Sequence, residues 1–463
     1  MHGTIGESRT ANVANWVANA RYKDFPEDTT KYAKALLLKT IAGMLAGSRE
    51  PISRILNTYF ADKGGKPEAG VIAGGFRTTV ENAAYAAAAF AHSSELEDNE
   101  LPSITSDYWM FPALFPLAQQ QVSSGTDLIE AAIIAWEVSS RYCRAAPGSL
   151  YMQMHICPPS WFGPLGVAAA ASRLLKLDPL RTEHAINMAA SWGCGLGQGG
   201  SDTHFLESGH TAMMGVQSAY LAKAGATAEL GSLELPNAFY SPVAQFGKTD
   251  LSAVDRGLGE APYRIHDACV KKYSACTFSH TAIDSLGLLM KEHGLKNEDI
   301  AHVEAEISEY ASFAVGMKPN PADLQDARFS VEFLLTEVLL NGGISVETFH
   351  DGGALTDPVR AQAKSKISVI VNPEFETYST TCKVKVTTSD GRELVQGLNS
   401  WLGSPEHPLG IEGIRQVCRP YLESMLSRGD CDRVEYLTLN LEKQPDILEL
   451  MDILTFARVG GRR

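Results

Sequence analysis

Residues 92–99, His-Ser-Ser-Glu-Leu-Glu-Asp-Asn, hold a dense group of side chains that could donate or accept protons. They follow an alanine-rich segment, which predicts a tightly packed, buried helix. Acids at the C-terminal end of such a helix are unfavourable unless they are paired or used, so Glu95, Glu97 and Asp98 mark a candidate site. Helical spacing would let Glu95 share a face with Asp98 or Asn99, and a buried carboxyl there could supply a proton. The alternative is a solvated helix end.

Two other segments carry side chains that could act as a nucleophile or as a base. His155 and Cys157 would place a thiol near an imidazole, and the alternative, which we favour, is a buried, inert Cys157 that lines a pocket. His204 could act as a general base near neutral pH, and the alternative is a loop histidine bonded to backbone. These three residues and Glu207 come from separate segments without a recognised metal-ligand spacing, so we predict no metal site among them.

Composition limits the class of protein. The chain has 463 residues, of which 44% are hydrophobic and 20% charged, as expected for two or three globular domains or for one large domain with an insertion. Its formal charge of −14 argues against nucleic-acid and anionic-membrane partners. No apolar run reaches the roughly 18 residues of a membrane span, and no secretory signal is visible at the start. Eight cysteines without a CxxC pair indicate free thiols, so we expect a cytoplasmic protein.

The pattern along the chain predicts a mainly α fold with an insertion. Residues 1–262 read as successive helices rich in small residues, which is typical of closely packed helices. In residues 263–397, segments with the alternating pattern of half-buried strands, and a Ser-Asp-Gly turn signal, occur between helices. Residues 398–463 return to helical periodicity. We therefore predict a large all-helical domain formed by both chain ends, with an inserted α+β lid domain.

Several segments together resemble the MmgE/PrpD family over nearly the whole chain. Residues 92–99 are similar to the family's H-(A/S)-x-D-F-D-D-T segment. Residues 158–171, Pro-Pro-Ser-Trp-Phe-Gly followed by Pro-Leu-Gly-Val and four alanines, are similar to its alanine-rich helix. Residues 270–284 resemble its (I/V)-K-x-Y-P-x-C-x-x-x-H-x-A-I-D segment. Residues 327–330, Ala-Arg-Phe-Ser, and 339–344 are similar to its lid helix.

This resemblance implies a helical domain plus an α+β lid, often assembled as a homodimer, with the site between the domains. It implies no metal and no organic cofactor. Members of the family generally remove or move a proton next to a carboxylate. They then lose water or carbon dioxide, or return the proton to the other face.

One cation of the family's motifs is retained here. By the resemblance, Lys271 is the lysine at the domain junction, where a compact positive charge would stabilise an enolate-like intermediate. The adjacent Lys272 could share this role. The alternative is a solvated lysine in a surface loop.

Most other motif positions carry different residues. The family's first aspartate is Glu95 here, its threonine is Asn99, and two of its histidines are Thr105 and Cys157. Its T-K-x-x-H-x-G segment reads Thr-His-Phe-Leu-Glu-Ser-Gly, so the lysine is His204 and the histidine is Glu207. Fewer cationic or histidine groups, and one added glutamate, predict a substrate less anionic than a tricarboxylate, such as an amine-bearing or mostly apolar acid.

The leading hypothesis is a cofactor-independent lyase that transfers a proton next to a carboxylate or carbonyl of a small organic acid. An isomerase or epimerase is the first alternative, and a catalytically inactive binding homodimer is the second. Lys271 would stabilise charge, His204 would act as base, and Glu95 or Asp98 would act as acid. The residues expected to bind substrate are Asn99, Thr105, His155, Cys157, Glu207 and Lys272.

Overall fold

A computed structural model describes residues 8–101, 105–146, 156–196, 201–235 and 239–458. Its contacts divide the chain into two compact units, of which one contains Met1–Cys269 with Gly410–Arg463 and the other Val270–Leu409. The first unit is helical and the second combines helices with a four-stranded sheet. The predicted mainly helical fold with an α+β part is therefore confirmed.

Long helices build the first unit. Its first part contains α1 (Arg9–Asn19), α2 (Glu27–Gly47), α3 (Pro51–Lys63), α4 (Val80–Ser93), α5 (Phe111–Gln120), α6 (Gly125–Ala145), α7 (Pro158–Leu174), α8 (Pro179–Trp192) and α9 (Asp202–Lys223). Its last part contains α15 (Gly410–Glu423), α16 (Arg428–Leu439) and α17 (Leu448–Thr455). Two short antiparallel hairpins also occur, β1 (Ala69–Gly70) with β2 (Arg77–Thr78), and β3 (Asn99–Glu100) with β4 (Thr105–Ser106).

Small residues let α4 and α9 pack closely. The hydroxyl of Ser208 on α9 donates to the carbonyl of Ala88 on α4 over 3.1 Å. A Cβ atom at Gly209 would lie 2.6 Å from the ring of Tyr85, so only glycine fits at this crossing. The alanine-rich sequence of α4 therefore sets a short distance between α4, which leads into the segment with Glu95, and α9, which carries His204 in its first turn.

The second unit is built around a mixed sheet. Its strands are β5 (Ile300–Ile307), β6 (Ile367–Val371), β7 (Cys382–Thr388) and β8 (Glu393–Leu398), in the order β6-β5-β7-β8. Only the β5–β6 pair among these is parallel. Burial alternates along β7, as expected for a sheet with one covered face. Its helices are α10 (His280–His293), α11 (Glu309–Val315), α12 (Leu324–Ala327), α13 (Val331–Asn341) and α14 (Pro358–Lys364).

No membrane-spanning helix is found among the described residues. None of their helices combines the length and apolar character that a bilayer crossing requires.

Candidate active site

A carboxylate and an imidazole meet where α4 ends and α9 begins. His204 lies in the first turn of α9, and its Nε2 atom is 3.3 Å from Oε1 of Glu95. The side chain of Glu95 is 2% exposed and that of His204 is 13% exposed. A carboxylate and an imidazole this close together can share or exchange a proton. The structure thus brings together two of the predicted site residues.

The backbone of Glu95 adopts an unusual conformation to make this contact. Helix α4 ends at Ser93, and Glu95 has a φ of +53°. Non-glycine residues rarely adopt this left-handed region, and they do so mostly where the surroundings impose it. The prediction that Glu95 and Asp98 share a helix face is therefore wrong, because both follow the helix.

Asp98 faces a buried lysine instead. The Nζ atom of Lys39 donates to Oδ1 of Asp98 over 2.6 Å and to the carbonyl of Leu96 over 2.8 Å. Asp107 accepts the backbone N–H of Asp98 over 2.9 Å. Burial and the nearby Asp98 raise the pKa of Asp107 well above its usual range. This cluster fixes the loop that presents Glu95.

Asn99 and Thr105 lie in the hairpin after this loop. Asn99 exchanges two backbone hydrogen bonds with Cys269, and Thr105 pairs with Glu100 across the hairpin. Both Asn99 and Thr105 are buried, at 8% and 2% exposure. The hairpin thus gives both residues fixed backbone positions.

Cys157 directly precedes α7, and Glu207 on α9 contacts the first turn of that helix. Burial raises the pKa of the Cys157 thiol to about 12, which agrees with the expected inert cysteine. Glu207 accepts hydrogen bonds from the hydroxyl of Ser160 over 3.2 Å and from the N–H of Leu196 over 3.1 Å. Desolvation raises the pKa of Glu207. His155 lies outside the described residues.

Lys271 and Lys272 belong to the second unit. Lys271 is buried, with 1% exposure. Lys272 forms an ion pair of 2.8 Å with Asp284, which also accepts from the hydroxyl of Tyr273 and the N–H of Leu402. Because Lys272 is paired with Asp284, the predicted positive charge beside the substrate depends on Lys271.

Sequence reasoning missed three contributors to this part of the first unit. His92 begins the segment of residues 92–99, and the sequence pattern gives it no role, yet its Nδ1 atom lies 3.2 Å from the carbonyl oxygen of His204. Lys39 and Asp107 received no role at all. A lysine within the apolar stretch of α2 was the available signal for Lys39, because a buried cation needs an anionic partner.

The described geometry defines a mainly helical protein with a candidate acid–base site in its first unit. Residues 11–251 match the MmgE/PrpD N-terminal domain, and residues 273–443 match the MmgE/PrpD C-terminal domain. The chain therefore belongs to the MmgE/PrpD family.

Similar curated proteins include cis-aconitate decarboxylases. The one from Mus musculus is 27% identical over 394 residues, covering 82% of this chain and 78% of that protein. The one from Homo sapiens is 24% identical and covers 97% of this chain and 95% of that protein. The one from Aspergillus terreus is 26% identical, with 96% and 95% covered. The chain is thus a distant relative of these lyases.

Proposed function

We propose that this protein is a lyase that transfers a proton at the carbon next to a carboxylate or carbonyl group of a small organic acid. The buried contact of 3.3 Å between Glu95 and His204 carries this proposal. The distant similarity to cis-aconitate decarboxylases supports the same class of reaction.

Each group has one task in the proposed reaction. His204 removes the proton from the carbon, and Glu95 stabilises the resulting imidazolium. The carbanion or enolate that forms needs a positive charge beside it, which the family resemblance assigns to Lys271. In an elimination of water, the C–O bond then breaks and the leaving oxygen takes the proton that His204 holds. In a decarboxylation, no proton is removed first: the C–C bond to the carboxylate breaks, its electron pair stays on the carbon as carbon dioxide leaves, and the imidazolium of His204 gives that carbon a proton.

The proposed substrate carries less negative charge than a tricarboxylate. His204 and Glu207 stand where the family motif has a lysine and a histidine, and Glu207 adds negative charge. Glu207 is already hydrogen-bonded to Ser160 and Leu196, so it acts through the local field rather than as a direct ligand of the substrate. An amine-bearing or mostly apolar acid fits this balance.

Deuterium exchange tests the proposal without knowledge of the product. The protein is incubated in D₂O with a panel of small mono-, di- and amino-carboxylic acids, and isotope incorporation next to the carboxylate is followed by NMR. We expect exchange or turnover for at least one acid, and a loss of about 100-fold or more in His204→Ala and in Lys271→Ala.

Matched variants serve as controls. His210→Ala removes an exposed histidine from the same helix as His204, and Lys291→Ala removes an exposed lysine from the second unit. Both should keep the activity. Deuterium incorporation with conversion into an isomer or epimer, and without loss of water or carbon dioxide, would instead support an isomerase. Binding of an acid without any exchange would contradict catalysis and support a binding protein.

A further inference from the structure

We infer that His92, Glu95 and His204 form a binding site for a divalent transition-metal ion such as Zn²⁺, and that the bound ion inhibits the protein. The binding part stands on geometry alone. The inhibitory part rests on the proposed function, because it requires His204 to be the base.

The three side chains converge as metal ligands do. Their candidate ligand atoms all lie within 4.8 Å of one another. A tetrahedral zinc site with bonds of about 2.0–2.1 Å holds its ligand atoms about 3.3 Å apart. The distance between Nε2 of His204 and Oε1 of Glu95 is 3.3 Å. Two imidazoles and one carboxylate are also a ligand set that zinc uses, with a further position left for water.

A supporting hydrogen bond orients His92 for this task. Its Nδ1 atom lies 3.2 Å from the backbone carbonyl oxygen of His204, and a carbonyl oxygen can only accept. The proton of a neutral His92 ring therefore lies on Nδ1, and the lone pair lies on Nε2. Metal-binding histidines are typically held in this way by a backbone carbonyl or a carboxylate.

The surroundings favour a metal that prefers nitrogen ligands. His92 is 2% exposed, and its ring lies 4.9 Å from that of Trp109 and 5.6 Å from that of Phe205, measured between ring centroids. This aromatic shell limits access of water to the ligands. Imidazole binds Zn²⁺, Co²⁺ and Ni²⁺ well, whereas Mg²⁺ prefers oxygen ligands and keeps its waters.

The identity of residue 204 decides whether such a site exists. The corresponding position of the family motif is a lysine, whose ammonium group has three donors and no lone pair. A histidine at this position supplies the second imidazole. Because metal coordination uses the lone pair of His204 that would otherwise accept the substrate proton, an occupied site cannot perform the proposed proton transfer.

Cobalt spectroscopy tests the binding directly. The protein is treated with a chelator, dialysed and titrated with Co²⁺, and the visible absorption of protein-bound cobalt is recorded together with the metal-to-protein ratio. We expect one tightly bound ion per chain, displaced by Zn²⁺ and unaffected by Mg²⁺. His92→Ala, Glu95→Gln and His204→Lys should each weaken binding by at least 10-fold, while His210→Ala should not.

Circular dichroism of each variant establishes that it is folded. If the chelator-treated protein shows no cobalt band when Co²⁺ is added, the metal site is overturned. An unchanged affinity for Co²⁺ in His92→Ala and His204→Lys would overturn it as well. The inhibitory part is read separately from deuterium exchange, which Zn²⁺ should abolish and chelator restore. If the metal-free protein exchanges no acid at all, the proposed function fails while the cobalt result still decides the metal site. If Zn²⁺ binds and exchange continues, the inhibition is refuted.

Discussion

Glu95 combines an unfavourable backbone conformation with the chemical role that we propose for it. Its φ of +53° is unfavourable for a side chain with a Cβ atom, by roughly 1–2 kcal/mol. The loop adopts this conformation where it directs a carboxylate at His204. Strain of this kind is often found at functional sites, because a relaxed backbone would point the side chain elsewhere.

Replacement of Glu95 by asparagine should separate strain from function. Asparagine tolerates the left-handed region, so Glu95→Asn should change the free energy of unfolding by no more than about 1 kcal/mol. The shorter neutral side chain should lower deuterium exchange by about 100-fold or more. Lys176→Asn is the control, because Lys176 is exposed and has a φ of +56°. It should gain some stability and keep the activity. An active Glu95→Asn protein would remove Glu95 from the mechanism.

The loop after α4 depends on a buried charge cluster. Asp107 has its carboxyl oxygen 3.1 Å from the hydroxyl of Thr40, which also lies 3.0 Å from the carbonyl of Leu36. The Thr40 hydroxyl divides its one proton between these two acceptors, so its hydrogen bond offsets the burial of an ionised Asp107 only in part. Burial and Asp98 raise the pKa of Asp107, which agrees with a protonated carboxyl.

Stability should therefore fall with rising pH at this cluster. Because its pKa is raised, Asp107 should keep a proton in the folded protein at pH values above about 4, where the unfolded chain has lost it. As the pH rises from there towards the raised folded pKa, keeping this proton costs the folded protein more and more free energy relative to the unfolded chain. Asp107→Asn removes the titrating group, so its free energy of unfolding, measured with urea between pH 4 and 8, should decline less than that of the wild type. Equal slopes would mean that Asp107 is ionised in the folded protein.

Lys39→Met tests the cation of the same cluster. It leaves Asp98 without its buried cation, which should cost about 3–5 kcal/mol in the free energy of unfolding, measured with urea.

Close helix contacts predict opposite effects for two glycine substitutions. A Cβ atom at Gly47 would lie 1.7 Å from the carbonyl oxygen of Phe90, so Gly47→Ala should destabilise the protein by about 1–3 kcal/mol or more. Gly287 lies within α10, and a Cβ atom there would extend into open space, so Gly287→Ala should stabilise the protein by about 0.5–1 kcal/mol. Denaturant unfolding measures both. A stabilised Gly47→Ala protein would contradict the packing of α2 against α4.

Sequence periodicity predicted the helices and strands because these patterns are local. The strand at β7 and its following turn, for example, can be read from alternation over seven residues. The site was harder to predict, because its contacts join distant positions. His92 and His204 are 112 residues apart, and Lys39 and Asp98 are 59 apart. The lysine in the apolar stretch of α2 indicates a buried cation, but a single sequence does not show that Asp98 is its partner. It also does not show that α4 ends before Glu95.

At the scale of the whole molecule, the two compact units have separate cores. Val384 is fully buried in the sheet of the second unit, and Gly47 is buried in the helical unit. The free energy that opens a segment is set mainly by the contacts that must break around it. A substitution in one core should therefore lower the protection of backbone amides against hydrogen exchange mostly in its own unit.

Hydrogen exchange followed by mass spectrometry tests this independence. Val384→Ala removes two buried methyl groups and should cost about 2 kcal/mol. We expect faster amide exchange in β5 and β7, with rates in α2 and α4 unchanged. Gly47→Ala should produce the reverse pattern, with faster exchange in α2 and α4 alone. Because both substitutions are compared in the full chain, a rise across both units in either variant would mean that the molecule opens as one cooperative body, and each variant would then report on global stability only.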